Sequence, residues 1–263
     1  MEKYNLSLVL FTWLTQASVG LLILRSIYVR QSQNDKIKTY ITGHFMLTSA
    51  FIMLVAGLIL SFTHLHYPAH AYNAINNLGS SWMSREILAE TILLFTVLVW
   101  YIVNRMRIRQ IPVVIPETIA IVSGIVLVYF MIRTYMLPSI PELHNPSFPV
   151  SFIITPVLGG ASLVFFFIRK KEPAYAERFM LIASIAFVLS FINHLLFLFL
   201  SNSYLLDSPV TFLYIAGIIL LIVRYYPVLK NKTGIPDVIF LSLAIVCDLL
   251  FRVLTLTFTN PGI

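Results

Sequence analysis

The sequence predicts an all-α, polytopic membrane protein with eight transmembrane helices in one bundle. Of its 263 residues, 59% are hydrophobic and 11% are charged, whereas ordinary soluble domains have about 45–50% apolar and about 25% charged residues. A chain with so few polar residues cannot cover its surface in water, so its solvent is a lipid bilayer. Its apolar stretches have the length of about 20 residues that a membrane-spanning helix needs, far longer than the strands of a membrane barrel.

Eight apolar stretches follow one another along the chain, with only turns and loops between them. Their approximate bounds are 5–28, 38–62, 85–106, 110–133, 149–169, 176–202, 208–228 and 235–258. No linker or soluble segment divides them, so we predict a single integral membrane domain over residues 1–263. We expect the first helix to remain as a span, because it is too long for a signal peptide and its basic residues follow it.

Lys and Arg residues indicate the orientation of the bundle. They concentrate in the connections after the first, third, fifth and seventh helices: Arg30, Lys36, Lys38; Arg105, Arg107, Arg109; Arg169, Lys170, Lys171; Lys230, Lys232. Cytoplasmic loops are enriched in these residues, so we place these four connections inside the cell and both termini outside, in the cytoplasmic (inner) membrane. The net charge of +7 therefore reflects topology. It gives no indication of nucleic-acid binding, since it forms no continuous patch.

Several kinds of cofactor lack their ligands in this chain. The single cysteine, Cys247, forms neither a disulfide nor an iron–sulfur cluster, which needs about four thiolates. A bis-histidine haem needs two histidines at one depth, and His44 and His194 are expected near opposite ends of the bundle. His64 with His194 is the depth-compatible pair, and hydrogen bonding is the commoner role of both. We therefore expect no haem, cluster or metal site. Motifs for nucleotide hydrolysis or hydrolase chemistry are also missing from the sequence.

Ionisable residues gather at the predicted outer end of the bundle. A charge within a membrane span costs at least a few kcal/mol, so each one needs a partner or a function. Asp248 and Arg252 lie four residues apart in the last helix, on one face where they can neutralise each other. The remaining members come from the second to fourth helices and their connections: His64, His66, His70, Arg85, Glu86, Glu90, Arg133.

Part of this cluster has a structural explanation. Ser84 is the expected N-cap of the third helix, and Glu86 would then lie in the first turn, where the helix dipole favours a carboxylate. This explanation covers neither Glu90, one turn deeper, nor His64. An imidazole beside a buried carboxyl group suits reversible proton transfer with a lipid-soluble molecule.

Quinol oxidation fits these requirements, and it releases two protons and two electrons. We predict that His64 and Glu86 transfer the protons. We expect five further residues to shape the binding site: Arg85, Glu90, Arg133, Asp248, Arg252. The electrons must pass to another protein, because this chain has no redox centre.

Residues 64–87, HLHYPAHAYNAINNLGSSWMSREI, resemble the H-L-x-x-P-x-x-A-[FY]-N…G-x-S-x-x-S-x-E-I signature of DmsC-type membrane anchor subunits of dimethyl sulfoxide reductases. Three further segments match in order: FTWLTQASVG, RTYMLPSIPELHNPSFPVSFIITPVLGG and CDLLFR. The sequence departs from the family pattern at His66, where Gly is frequent, at His70, where Arg is frequent, and at Asp248, where Glu is common.

The resemblance implies an anchor subunit of a molybdopterin and iron–sulfur oxidoreductase complex, outside its catalytic core. Such an anchor oxidises menaquinol to menaquinone and passes electrons to an iron–sulfur partner subunit, which feeds a molybdopterin catalytic subunit on the outer face. The family's quinol-site histidine falls on His64 and its carboxylate on Glu86. Two other interpretations remain: a proton-coupled transporter, against which the absence of an evident inverted repeat counts, and a purely structural anchor without quinol chemistry.

Overall fold

The computed structural model describes residues 6–32, 36–63, 77–106, 110–136, 145–201, 209–225 and 235–258. These residues contain eight α-helices and no strand: α1 (Leu6–Gln31), α2 (Lys36–Thr63), α3 (Trp82–Met106), α4 (Val114–Tyr135), α5 (Ser147–Ile168), α6 (Pro173–Leu200), α7 (Pro209–Tyr225) and α8 (Ile235–Phe258). The predicted fold class is confirmed.

Seven of the eight helices are long and apolar enough to cross a membrane. The exception is α7, whose 17 residues are fewer than the about 20 that a span needs. Residues 226–228, which the sequence assigns to the same span, fall outside the described part of the chain. Large apolar side chains are exposed on the periphery of the bundle, among them Ile52 (60%), Phe95 (65%) and Ile125 (55%). Such a surface suits lipid rather than water.

Successive helices run in opposite directions, which gives the bundle two distinct ends. We call the end where α1, α3, α5 and α7 begin the Trp82 end, and the opposite one the Arg30 end. Contacts at the Arg30 end join the last turn of one helix to the first turn of another. Arg30 forms an ion pair with Glu117 of α4 at 3.2 Å, and Tyr28 donates a hydrogen bond to Glu172, which precedes α6, at 2.5 Å.

Helix α1 lies at the centre of the bundle and contacts α2, α4, α5 and α8. It approaches α5 most closely where Gly20 meets Pro156 and Gly160. A Cβ atom on Gly20 would lie 1.7 Å from the carbonyl oxygen of Pro156, and one on Gly160 would lie 2.4 Å from the carbonyl carbon of Gly20. Small residues let membrane helices pack at this distance, where dispersion contacts and interhelical hydrogen bonds hold them together.

Candidate functional site

The start of α3 differs from the prediction. The backbone N–H of Ser84 donates a hydrogen bond to Oγ of Ser81 at 3.3 Å, and α3 begins at Trp82. Ser81 is therefore the N-cap, and the prediction of Ser84 was wrong. Glu86 consequently lies beyond the first turn, which contains no acidic residue. The helix dipole acts mainly within the first turn, so it does not account for Glu86.

Glu86 and Glu90 form a buried acidic pair on the inward face of α3. Their exposed fractions are 5% and 3%, and each carboxylate lies within electrostatic range of the other. Thr134 of α4 lies close to the Glu86 carboxylate, and its hydroxyl donates a hydrogen bond to the carbonyl of Phe130 at 3.0 Å. The Oε1 atom of Glu90 has no hydrogen-bond partner in the described part of the chain. A buried oxygen without a partner costs about 1–3 kcal/mol, so Glu90 is available to a ligand, a water or a proton.

Asp248 and Arg252 form the second buried group, and the hydroxyl of Thr155 links them. The Oδ2 atom of Asp248 accepts hydrogen bonds from Trp13 Nε1 at 3.0 Å and from Thr155 Oγ1 at 2.8 Å. Arg252 Nη2 donates to Thr155 Oγ1 at 2.9 Å and to Gln16 Oε1 at 2.7 Å. The side chains do share one face of α8, as predicted. They are bridged by α5, and the salt bridges of the described residues do not include a direct contact between them.

Arg252 retains hydrogen-bonding capacity in the interior. Its Nε and Nη1 atoms have no acceptor among the described residues, although the side chain is only 2% exposed. The ring of Phe152 lies 4.6 Å from the guanidinium carbon and supplies a cation–π contact. A buried guanidinium with unpartnered N–H groups on two nitrogens favours an oxygen ligand, because unpartnered donors are rarely left in protein interiors.

Tyr135 connects the two buried groups. It lies within electrostatic range of both Glu86 and Arg252, and its ring packs against those of Phe148 and Phe152, with centroids 5.7 and 5.3 Å away. We define the buried cluster as Glu86, Glu90, Tyr135, Asp248 and Arg252. Tyr135 is not among the site residues predicted from the sequence.

Arg85 and Arg133 lie apart from the buried cluster, at the Trp82 end. Arg85 donates hydrogen bonds from Nε to the carbonyl of Leu78 at 2.8 Å and from Nη2 to that of Gly79 at 2.7 Å. The guanidinium groups of Arg85 and Arg133 both lie over the ring of Trp82, at 4.3 and 4.7 Å. Arg85 thus holds the turn before α3. Four of the predicted site residues share the interior, and these two belong to the rim.

The structure does not test the placement of His64, which lies outside the described residues together with His66 and His70. In the sequence, His64 directly follows Thr63, the last residue of α2. His194 is buried near the Trp82 end, with Nε2 2.9 Å from Thr211 Oγ1. His44 lies at the Arg30 end, where its Nδ1 is 3.4 Å from Asn104 Nδ2. The predicted difference in depth between His44 and His194 is confirmed. The described residues contain no group of three metal-ligating side chains.

The α-helical bundle has helices that can span a membrane, and it encloses a buried cluster of carboxyl and guanidinium groups. These two features define a multi-pass membrane protein with an intramembrane polar site. The sequence profile of the family described as "DMSO reductase anchor subunit (DmsC)" matches residues 1–207. The protein belongs to this family, as the motif around His64 indicated. Asp248 and Arg252 lie beyond the matched residues, although they complete the buried cluster to which α3 and α4 contribute Glu86, Glu90 and Tyr135.

Similar proteins carry the same description. The sequence is 35% identical over 176 residues to the C subunit of the anaerobic dimethyl sulfoxide reductase of Haemophilus influenzae, and the match covers 65% of this protein and 62% of that one. It is 30% identical over 172 residues to the YnfH subunit of an anaerobic dimethyl sulfoxide reductase of Escherichia coli, covering 64% and 59% of the two proteins. The matched part thus spans about three fifths of the length of each relative. The family and these relatives are described as anchor or C-chain subunits of dimethyl sulfoxide reductases.

Proposed function

We propose that this anchor binds and oxidises menaquinol, and that it passes the electrons to an iron–sulfur partner subunit that feeds a molybdopterin catalytic subunit. The observation that carries the proposal is the Oε1 atom of Glu90, which has no partner among the described residues and is buried near Glu86 in α3. Proton-accepting groups near the start of α3 can contact a quinol that enters laterally from the lipid. Family membership supports the complex and its partners, and the geometry supports the site.

The polar groups of the buried cluster suit a quinol chemically. A quinol presents two hydroxyl groups, which become carbonyl oxygens on oxidation. The free oxygen of Glu90 accepts a hydrogen bond from a hydroxyl, and the free N–H groups of Arg252 donate to a carbonyl. Both are positioned by buried helices, so they stay aligned when the ligand arrives.

His64 and Glu86 have the proton-transfer roles in this proposal. The neutral imidazole of His64 accepts a hydroxyl proton as electrons leave, and the carboxylate of Glu86 stabilises the imidazolium and relays the proton toward the outer surface. Positioned acid–base groups contribute typically about 10²- to 10⁴-fold to a rate. Arg85 and Arg133 shape the rim through Trp82. The two electrons leave for the partner's cluster, since Cys247 is the only thiol of this protein.

A purely structural anchor is the second candidate, and the environment of Asp248 favours it. Trp13 and Thr155 both donate to this carboxylate, so Asp248 has a sufficient role in holding α8 against α1 and α5. This argument does not extend to Glu90 or Arg252, whose polar atoms remain unpartnered within the described part of the bundle.

Comparison of complexes with and without this subunit tests the proposal. We expect the subunit to co-purify with an iron–sulfur protein, and we expect the assembled complex in liposomes to oxidise menaquinol. The soluble partners alone should accept electrons from an artificial donor and not from menaquinol. Absence of a co-purifying iron–sulfur protein would instead favour a transporter. Oxidation of menaquinol by the soluble partners alone would favour a structural anchor.

A further inference from the structure

An apolar groove runs between α3 and α4 on the lipid-facing side of the bundle. Its volume is about 450 Å³, within the range of about 300–1,000 Å³ of small-molecule sites. Its walls include Leu88, Ala89 and Ile92 of α3 and Val122, Val126 and Phe130 of α4. Several of these side chains are exposed, for example Val122 at 53%. The groove is therefore open to the hydrocarbon and suits an apolar chain.

Two residues that line the groove, Arg85 and Ala89, directly precede Glu86 and Glu90 of the buried cluster on α3. Along α4 its lining extends from Thr118 to Phe130, which corresponds to about 18 Å at 1.5 Å per residue. At the Trp82 end it reaches Arg85, the residue before Glu86. Phe130 accepts a hydrogen bond at its carbonyl from Thr134, one helical turn further along α4, at 3.0 Å, and Thr134 lies close to Glu86. A molecule that fills the groove would have one end beside Arg85 and the other beside Thr118, near the start of α4 at the Arg30 end.

We propose that this groove binds the prenyl tail of the quinol whose head occupies the buried cluster. The inference rests on the proposed function. It assigns a binding site to the apolar tail of the quinol, in addition to the site of its head. An elongated apolar chain fits the lining, and its polar end meets Glu86 between the same two helices. The tail enters from the bilayer along the groove, so the head approaches Glu86 and Glu90 in one orientation.

The chemistry at the mouth of the groove favours a neutral ligand over an anionic phospholipid. Arg85 is the charged residue among the described residues that line the groove. Its Nε and Nη2 atoms already donate to the carbonyls of Leu78 and Gly79, and its guanidinium lies over Trp82. Two of the five N–H groups of its guanidinium are thus used within the protein, and the turn before α3 fixes its position. The apolar tail of a quinol requires no contact with it.

The tail leaves lipid and not water when it enters the groove, so the hydrophobic effect contributes little to its binding. The favourable free energy of binding comes from packing of the tail against the groove and from orientation of the quinol head. We therefore expect the groove to change the KM for a prenylated quinol by about three- to tenfold, a fraction of the effect expected for a group that transfers protons.

Substitution of one groove residue tests the proposal. Val126→Phe fills the groove, and Ile125→Phe is the matched control. Ile125 is the neighbour of Val126 on α4 and is 55% exposed, but it does not line the groove. The assembled complexes are assayed with a long-tailed menaquinol and with tail-less menadiol. We expect Val126→Phe to raise the KM for menaquinol about three- to tenfold and to leave that for menadiol unchanged. Ile125→Phe should change neither value.

The other outcomes overturn the proposal in distinguishable ways. If Val126→Phe leaves the KM for menaquinol unchanged, or raises both values equally, the tail binds elsewhere. If native mass spectrometry of that variant shows loss of a bound phospholipid at an unchanged KM, the groove is a lipid site. If the wild-type complex oxidises neither quinol and accepts electrons from a soluble donor, the proposed function itself fails and the groove inference fails with it.

Discussion

Asp248 and Arg252 share the hydroxyl group of Thr155, which donates to the carboxylate at 2.8 Å and accepts from the guanidinium at 2.9 Å. The two charged groups of α8 are thereby tied to α5 through a neutral side chain. This arrangement lets α8 dock by hydrogen bonds and leaves Arg252 with donors for a further acceptor.

Thr155→Val should destabilise the complex and reduce quinol turnover. Valine has nearly the shape of threonine and removes the hydroxyl, so Asp248 loses one donor and Arg252 one acceptor in a buried place. We expect a loss of about 1–3 kcal/mol in the free energy of unfolding, measured as a lower melting temperature of the assembled complex in detergent. Thr155→Ser is the control that retains the hydroxyl, and it should lie close to the wild type. Equal behaviour of the Val and Ser variants would mean that the bridge is unimportant.

Glu90→Gln should lower menaquinol turnover and leave turnover with a soluble artificial donor unchanged. The physical reason is that Oε1 of Glu90 is unpartnered among the described residues, so the carboxylate contributes little to the fold and is free for substrate. We expect menaquinol turnover to fall about 10- to 100-fold. The upper value is the lower limit of the range for positioned acid–base groups. Glu117→Gln is the matched control, since this carboxylate pairs with Arg30 at the other end of the bundle. If both variants lose turnover to the same extent, Glu90 has no particular role.

Gly160→Ala should impair assembly of the bundle. A Cβ atom at this position would lie 2.4 Å from the backbone of Gly20, and neither backbone can yield without separating α1 from α5. Overpacking of this kind costs about 1–3 kcal/mol or more. Size-exclusion profiles of the complex report the loss of the monodisperse form. Gly79→Ala is the control, because nothing lies within 4 Å of a Cβ atom there. A monodisperse Gly160→Ala complex of wild-type stability would contradict the packing of α1 against α5.

Reporter fusions test the orientation. Fusions after Lys36 and after Asn76 should report the cytoplasm and the outside, respectively, because Lys and Arg are concentrated in alternate connections. Signals from the same side would contradict the topology and remove the argument that His64 and Glu86 share a leaflet.

The helices were predictable because membrane insertion demands long apolar stretches. Their bounds were predicted to within a few residues, and α3 begins at Trp82 instead of residue 85. Side-chain partners were less predictable. The spacing of Asp248 and Arg252 placed them on one face of α8 correctly. The spacing of these residues did not indicate Thr155, because Thr155 belongs to α5. Packing in three dimensions determines which helix lies beside α8.

Two other features needed the structure for similar reasons. Three serines precede or open α3, and each is an acceptable N-cap. Contacts of Trp82 with Tyr129 and Phe130 of α4 select the earlier start and hence Ser81. Tyr135 resembles an ordinary core aromatic in the sequence, and only the convergence of α3, α4 and α8 places it between Glu86 and Arg252.

Menaquinol-dependent turnover of complexes that carry His64→Ala or Glu86→Gln tests the central claim most directly, with a soluble artificial donor assayed in parallel. We expect menaquinol turnover of both variants to fall about 10²-fold or more. Turnover with the soluble donor and the amount of assembled complex should remain unchanged. If both variants oxidise menaquinol at close to the wild-type rate, the quinol site lies elsewhere and the buried cluster serves only to hold the helices together.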